Sequence, residues 1–228
     1  MLARIPQLLS ATQVADLRRA LDGADAPWVD GRVTAGHQGA PVKRNSQIDE
    51  ASPLARELGQ VVLTELERHP LFISAVLPHR VYPPMFNRYR EGMHFGTHVD
   101  GAVRMIPGSG HKLRTDLSAT LFLAAPDSYD GGELIIENDF GSETVKLAAG
   151  DAVVYTSTSR HRVTPVTRGV RTACVFWIQS LIRDDTKREL LFELDRTIQR
   201  LTETAADPQS LVRLAGQYHT LLRLWTEF

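Results

Sequence analysis

His98-Val99-Asp100 sets an imidazole and a carboxylate two positions apart, at a point where a strand-like pattern breaks into a glycine-containing loop. On extended backbone that spacing points both side chains to one face, so two metal ligands converge without distorting the chain. A second imidazole, His161, starts a later strand-like run, just after Gly150-Asp151-Ala152-Val153-Val154-Tyr155, which reads as a turn feeding an apolar strand. Two imidazoles and one carboxylate on one face of an octahedron leave three open positions, the arrangement associated with non-haem iron(II) oxygenases. A keto-acid can chelate through two of those positions and dioxygen can take the third.

Arg171 stands ten residues after His161, beyond a turn expected at Arg168-Gly169. If these segments form a hairpin of two strands, the guanidinium returns beside the metal histidine. There its planar fork could grip the distal carboxylate of 2-oxoglutarate through two charge-assisted hydrogen bonds. Ala173, Val175 and Trp177 share its strand phase and would wall the pocket, while Thr172, Cys174 and Phe176 face away.

Each signal also has an ordinary reading. An isolated H-x-D triplet is usually chance, and a lone strand arginine usually balances surface charge. Their combination with His161 at fixed spacing favours a site. Trp177 in this phase reads as core more readily than as a pocket wall, and Cys174 as a small buried hydrophobe rather than a nucleophile. His94 and His111 read as loop residues, because a fourth protein ligand would consume an open coordination position. Gly131-Gly132-Glu133 lacks the Lys-Ser/Thr and following helix of a phosphate cradle and reads as strand geometry. The stretch 101–115, with its glycines and with Arg104, Lys112 and Arg114, reads either as a solvated loop or as a lid; the basic residues suggest an acidic substrate.

These residues need a framework to position them. Ser10 and Gln13 form a capping-box pattern opening a helix over 10–22, and Ser52-Pro53 opens a second over 52–68 that His69-Pro70 should stop. Short runs rich in Val, Thr, Tyr and Phe predict strands near 82–90, 116–124, 132–137, 142–147, 151–156, 161–166 and 170–182. Helical spacing then returns: Leu190, Leu191, Leu194 and Ile198 share a face, and Asp207-Pro208 caps a last helix carrying Leu211, Leu214, Tyr218, Leu221, Leu222 and Trp225. The expected fold is α+β and mainly β: an N-terminal helical or mixed segment (1–78), a double-stranded β-helix, or jelly roll, as catalytic core (79–183), and a C-terminal helical tail (184–228).

The run Tyr89-x-x-Gly92-x-x-Phe95-x-x-His98-x-Asp100, then Gly131-Gly132-Glu133-Leu134, Gly150-Asp151, and His161 with Arg171, resembles the prolyl-4-hydroxylase-like branch of the iron(II)- and 2-oxoglutarate-dependent dioxygenases. More narrowly it is similar to the bacterial PKHD-type hydroxylases, whose helical C-terminus the Tyr218-to-Trp225 ending also resembles. The resemblance implies the double-stranded β-helix, Fe(2+) held by His98, Asp100 and His161, 2-oxoglutarate on Arg171 with help from the Tyr89 phenol, ascorbate as reductant, and hydroxylation. No catalytic side chain beyond the metal ligands is implied. Animal collagen-type relatives use lysine where this chain has Arg171. Asp100 fills the place where a halogenating relative needs room for chloride, which favours hydroxylation.

Composition sets the remaining expectations. Lys plus Arg (26) nearly balance Asp plus Glu (27), so the chain lacks the basic field that nucleic acid or an anionic membrane surface would attract. One cysteine excludes an intrachain disulfide and fits the cytoplasm. No signal peptide or membrane span is expected. The substrate should be a small molecule or peptide, and the C-terminal helices offer a surface for a homo-oligomer. The alternatives are a cupin-like metal dioxygenase or isomerase that uses no keto-acid, and a keto-acid- or metal-sensing protein without turnover.

Overall fold

The computed structural model describes residues 2–37, 39–138, 141–205 and 207–228. Strand β1 (Leu2–Ile5) leads into helix α1 (Ala11–Leu21), and the short strands β2 (Trp28–Asp30), β3 (Lys43–Arg44) and β4 (Ser46–Ile48) follow. Helices α2 (Pro53–Arg68) and α3 (Pro70–Val76) precede β5 (Pro78–Val81), β6 (Met85–Tyr89) and β7 (His94–His98). A ribbon of β8 (Val103–Met105) and β9 (Lys112–Arg114) comes before β10 (Leu117–Phe122). Next come β11 (Tyr129–Gly131), β12 (Leu134–Asn138), β13 (Gly141–Val145) and β14 (Ala152–Thr156). Then β15 (Arg160–Val163), β16 (Val166–Gly169) and β17 (Arg171–Ser180) lead to helices α4 (Asp185–Glu203) and α5 (Pro208–Trp225).

The helix starts follow local chemistry. Ser10 and Gln13 make both bonds of the capping box at α1, and the Ser52 hydroxyl accepts from the Ala55 amide at α2. His69-Pro70 ends α2 as expected but also begins α3, which the sequence reading lacked. The His69 ring accepts from the Phe72 amide and Pro70 takes the first turn, where its missing N–H costs nothing. The strands of residues 2–48 were likewise not anticipated, because runs of two to four residues are too short for alternation to register.

The result is a mixed helix and strand fold around a large antiparallel sheet. That sheet has eight strands in the order β1-β14-β10-β17-β6-β4-β2, with β5 also pairing with β17. A second, five-stranded sheet runs β13-β12-β15-β7-β3, and two-stranded ribbons join β8 to β9 and β11 to β16. Alternation along β14 explains why its apolar run is continuous. Ala152 and Val154 join α1, α2 and α3 in the largest core cluster, whereas Val153 and Tyr155 join Leu134, Ile136, Val145 and Val163 of the smaller sheet. The large sheet is thus covered by helices on one face and by the second sheet on the other. Between the sheets lies the space that holds the functional residues. Tyr218, Leu221, Leu222 and Trp225 of α5 pack against Leu77, Ile182 and Leu191. Among the described residues no helix is long and apolar enough to cross a membrane.

Candidate metal and co-substrate site

His98 and His161 are directly opposite each other where β7 pairs with β15, and Asp100 follows His98 just beyond the strand end. One ligand-capable atom from each of the three side chains lies within 4.8 Å of the other two. Both imidazoles are oriented by the backbone. The Nδ1 atoms sit 2.8 Å from the Gly96 carbonyl oxygen and 3.1 Å from that of Ser159, which directs each Nε2 toward Asp100. Phe95 stacks on the His98 ring at 3.6 Å, and Tyr155 meets His161 edge-on at 5.1 Å. Burial, reinforced by the nearby His161, lowers the pKa of His98 to about 4, so the ring is a neutral lone-pair donor at neutral pH. The Asp100 carboxylate accepts a hydrogen bond of 2.6 Å from Ser118 on β10, in the opposite sheet.

Arg171 reaches the same space by a route different from the one expected. His161 and Arg171 do not form a hairpin: β15 belongs to the five-stranded sheet and β17 to the eight-stranded one. Thr164-Pro165 ends β15, the intervening β16 pairs with β11, and Gly169 turns in the left-handed region (φ 76°) before β17 begins. The chain thereby crosses between sheets, and Arg171 faces the metal group from the other side. It pairs in register with Tyr89, and its guanidinium carbon lies 5.2 Å from the Tyr89 ring centre and 5.5 Å from that of Phe122.

Arg171 is only 2 % exposed, yet among the described residues it has no ion-pair partner and its Nε has no acceptor. The nearby Tyr129 hydroxyl is also buried without a partner, and burial raises the phenol's pKa, keeping it a neutral donor. A buried, uncompensated guanidinium is costly in isolation, and a carboxylate ligand relieves that cost. Gly132 makes room for the arginine side chain. Gly131 and Gly132 are left-handed (φ 69° and 66°), so the segment is a tight corner and not regular strand as read from sequence. A Cβ on Gly132 would stand 3.0 Å from the Arg171 Cδ.

One cavity of about 570 Å³ is lined by all five candidate residues, His98, Asp100, His161, Arg171 and Tyr89. Val175 and Trp177 also line it, whereas Cys174 faces the helix-side core, where burial pushes its thiol pKa up. Neither His94 nor His111 joins the metal group among the described residues. Sequence reading missed Ser118, Tyr129, Tyr155 and Lys43. Only Ser118 left a signal, since Ser118 and Thr120 interrupt an apolar strand on one phase.

Known proteins supply the family. A family model for the 2OG-Fe(II) oxygenase superfamily matches residues 84–179, and one for the PKHD-type hydroxylase C-terminal domain matches residues 185–227. A PKHD-type hydroxylase of Cupriavidus metallidurans is 64 % identical over 227 residues, and one of Paraburkholderia phymatum is 60 % identical over the same length, each match covering the whole of both chains. The chain belongs to the PKHD-type hydroxylase family. Members are oxidoreductases of the 2-oxoglutarate-dependent dioxygenase class, and the first matched segment contains all five candidate residues. Among solved structures, the carbocyclase SnoK from nogalamycin biosynthesis aligns with TM-score 0.56 at 16 % identity, covering 79 % of this chain and 80 % of that one. A prolyl hydroxylase from Trichoplax adhaerens aligns with TM-score 0.54 at 11 % identity, covering 83 % and 86 %. These likenesses concern the fold alone.

Proposed function

We propose that this PKHD-type protein hydroxylates its substrate at an iron(II) centre held by His98, Asp100 and His161, consuming 2-oxoglutarate and dioxygen and releasing succinate and carbon dioxide. The single observation that carries the reading is the pairing, within one cavity, of a three-ligand group with a buried arginine that has no ion-pair partner among the described residues. When bound, iron(II) and 2-oxoglutarate supply the oxidative chemistry, with ascorbate as the reductant that keeps the metal in service.

The residues of the chain do the rest. His98 and His161 would hold the iron through their Nε2 atoms, and Asp100 would hold it through its carboxylate. Arg171 binds the far carboxylate of the keto-acid through its fork, with Tyr89 and Tyr129 offering phenolic donors beside it. Gly132 leaves space for the Arg171 side chain, and Phe122, Tyr155 and Val163 exclude water around this end of the cavity. The two sheets facing each other across the cavity form the double-stranded β-helix of this reading, with residues 79–183 as its catalytic core. The single, buried cysteine suits work in the cytoplasm.

The test is an anaerobic titration of 2-oxoglutarate into the iron-loaded protein, following the metal-to-ligand charge-transfer absorption, together with a succinate-release assay. A saturable band and succinate formation are expected. Iron bound at these three side chains without such a band would favour a cupin-like activity. A band without succinate would favour a sensing protein.

A further inference from the structure

Two further positive charges enter the same cavity away from Arg171. The Arg104 guanidinium lies 3.9 Å above the Trp177 ring and 4.9 Å from the Tyr82 ring centre. Trp177 shares the phase of Arg171 on β17 but stands six residues on, about 20 Å away at roughly 3.3 Å per residue. Lys43 extends from β3, with Nζ 5.3 Å from the ring centre of Phe95, the same ring that stacks on His98. Lys43 and Arg104 therefore both line the cavity beside the metal group, with Arg104 at the end of β17 away from the co-substrate arginine.

Neither cation is neutralised. Among the described residues neither has an ion-pair partner, although Lys43 is only 7 % exposed. Its Nζ donates to the Thr34 hydroxyl at 3.3 Å. Arg104 Nε and the Trp177 indole N–H are buried without acceptors. Glu50, whose charge is felt at Lys43, is tied instead to the Gln47 side-chain amide at 3.1 Å and the Tyr82 hydroxyl at 3.3 Å. Among the described residues the donors of this corner outnumber its acceptors: the Thr34 hydroxyl takes Lys43 and the Glu50 carboxylate takes Tyr82, while Arg104 Nε and the Trp177 N–H are left over, a poor arrangement unless a ligand completes it. At the mouth, the exposed apolar side chains Val33, Val99, Val103 and Met105 line the same cavity.

We propose that Lys43 and Arg104 form an anion site for the prime substrate, taking its carboxylate while its apolar part lies against Val33, Val99, Val103 and Met105. The site rests on the reading that the Arg171 end takes 2-oxoglutarate. A planar guanidinium beside an ammonium suits a carboxylate, and the apolar rim suits a substrate that is more than a bare anion. Two sources share this chemistry: a small free acid, and a glutamyl side chain within a peptide.

The experiment uses the full-length, nitrogen-15-labelled chain without metal and follows the Trp177 indole N–H resonance, distinguished from those of Trp28 and Trp225 by Trp177→Phe. The probes are butyrate and butyramide, and the blocked tripeptides alanyl-glutamyl-alanine and alanyl-glutaminyl-alanine. A saturable shift with one acid is expected, at least about tenfold weaker with its amide counterpart. Arg104→Gln and Lys43→Met should each weaken the acid about tenfold, in line with a charge-assisted bond. Tighter binding of the glutamyl peptide assigns the site to peptides, and tighter binding of butyrate to small acids. Equal responses to acid and amide, or no saturable response to either acid, would overturn the proposal. Because this readout needs neither iron nor 2-oxoglutarate, failure of the co-substrate reading would leave it intact. Failure of the anion site would leave the charge-transfer band intact.

Discussion

Ser118 holds Asp100 from the opposite sheet: its hydroxyl donates to Oδ2 at 2.6 Å, and its oxygen lies 2.8 Å from the Ser157 hydroxyl. With its one proton given to the carboxylate, Ser118 must accept from Ser157, so the pair forms a directed chain ending on the proposed metal ligand. Partners of this kind fix a ligand's orientation, and their loss typically costs ten- to hundredfold in metal affinity. Ser118→Ala is expected to lower iron(II) affinity by about that factor while leaving the fold intact, as read by competition with a chelator. Wild-type affinity in this variant would show that Asp100 needs no such support.

Arg171 predicts two effects that separate binding from stability. Removing one charge-assisted partner of a carboxylate should weaken 2-oxoglutarate about ten- to hundredfold in Arg171→Met, with iron affinity unchanged. The same variant should melt no lower than wild type when ligand-free, because the buried guanidinium it removes has no counter-ion among the described residues. In wild type, 2-oxoglutarate at about a hundred times its Kd should add roughly 2.7 kcal/mol of stability. The expected result is a ligand-dependent rise in melting temperature in wild type and little rise in Arg171→Met. A variant that melts well below wild type without ligand would mean that Arg171 holds the fold together.

The legibility of these residues followed their sequence distance. His98 and Asp100 were readable because i, i+2 geometry is local, and Ser10 with Gln13 because a capping box is local too. Arg171 was found by its spacing from His161, but the hairpin offered as the reason was wrong. Thr164-Pro165 moves the chain to another sheet, and pairing between sheets leaves no mark on spacing. Lys43 was invisible for the same reason: it sits on a two-residue strand and acquires meaning only through β7. Tyr129 becomes notable only because Gly132 turns left-handed and lets it approach Arg171.

The ribbon of β8 and β9 covers the segment read as a loop or lid. Among the described residues its two strands pair only with each other, its turn carries Gly108 and Gly110 at positive φ, and Val103 and Met105 are exposed. Hydrogen exchange at Ile106, whose amide bonds to the His111 carbonyl, should be far faster than at β10 in the ligand-free protein. Equal protection would rule out opening of the ribbon. Its three basic residues also separate. Arg114 is committed to Asp116 at 2.6 Å and Lys112 is exposed, which leaves Arg104 alone facing the cavity. Substrate-stimulated 2-oxoglutarate turnover should fall in Arg104→Ser and stay unchanged in Lys112→Ser.

Lys43 gives a pH dependence with a definite sign. Burial, with the charge of Arg104 beside it, lowers its pKa from 10.5 to about 8 in the folded chain. Between those values the unfolded chain binds more protons than the folded one, so stability rises with pH across that window. Below pH 8 the ammonium is charged in both states, and the full cost of burying it is present. Lys43→Met should therefore be more stable than wild type at pH 7, by about 1 to 3 kcal/mol on the scale of one pKa unit per 1.36 kcal/mol. The advantage should shrink as pH rises from 8 toward 10.5, where the wild-type amine folds uncharged. Denaturant unfolding of both proteins at pH 7 and pH 9.5 reads the difference directly. A gap of the same size at both values would mean that the Lys43 charge is not penalised by burial. A widening gap would mean that the Thr34 hydrogen bond outweighs the charge.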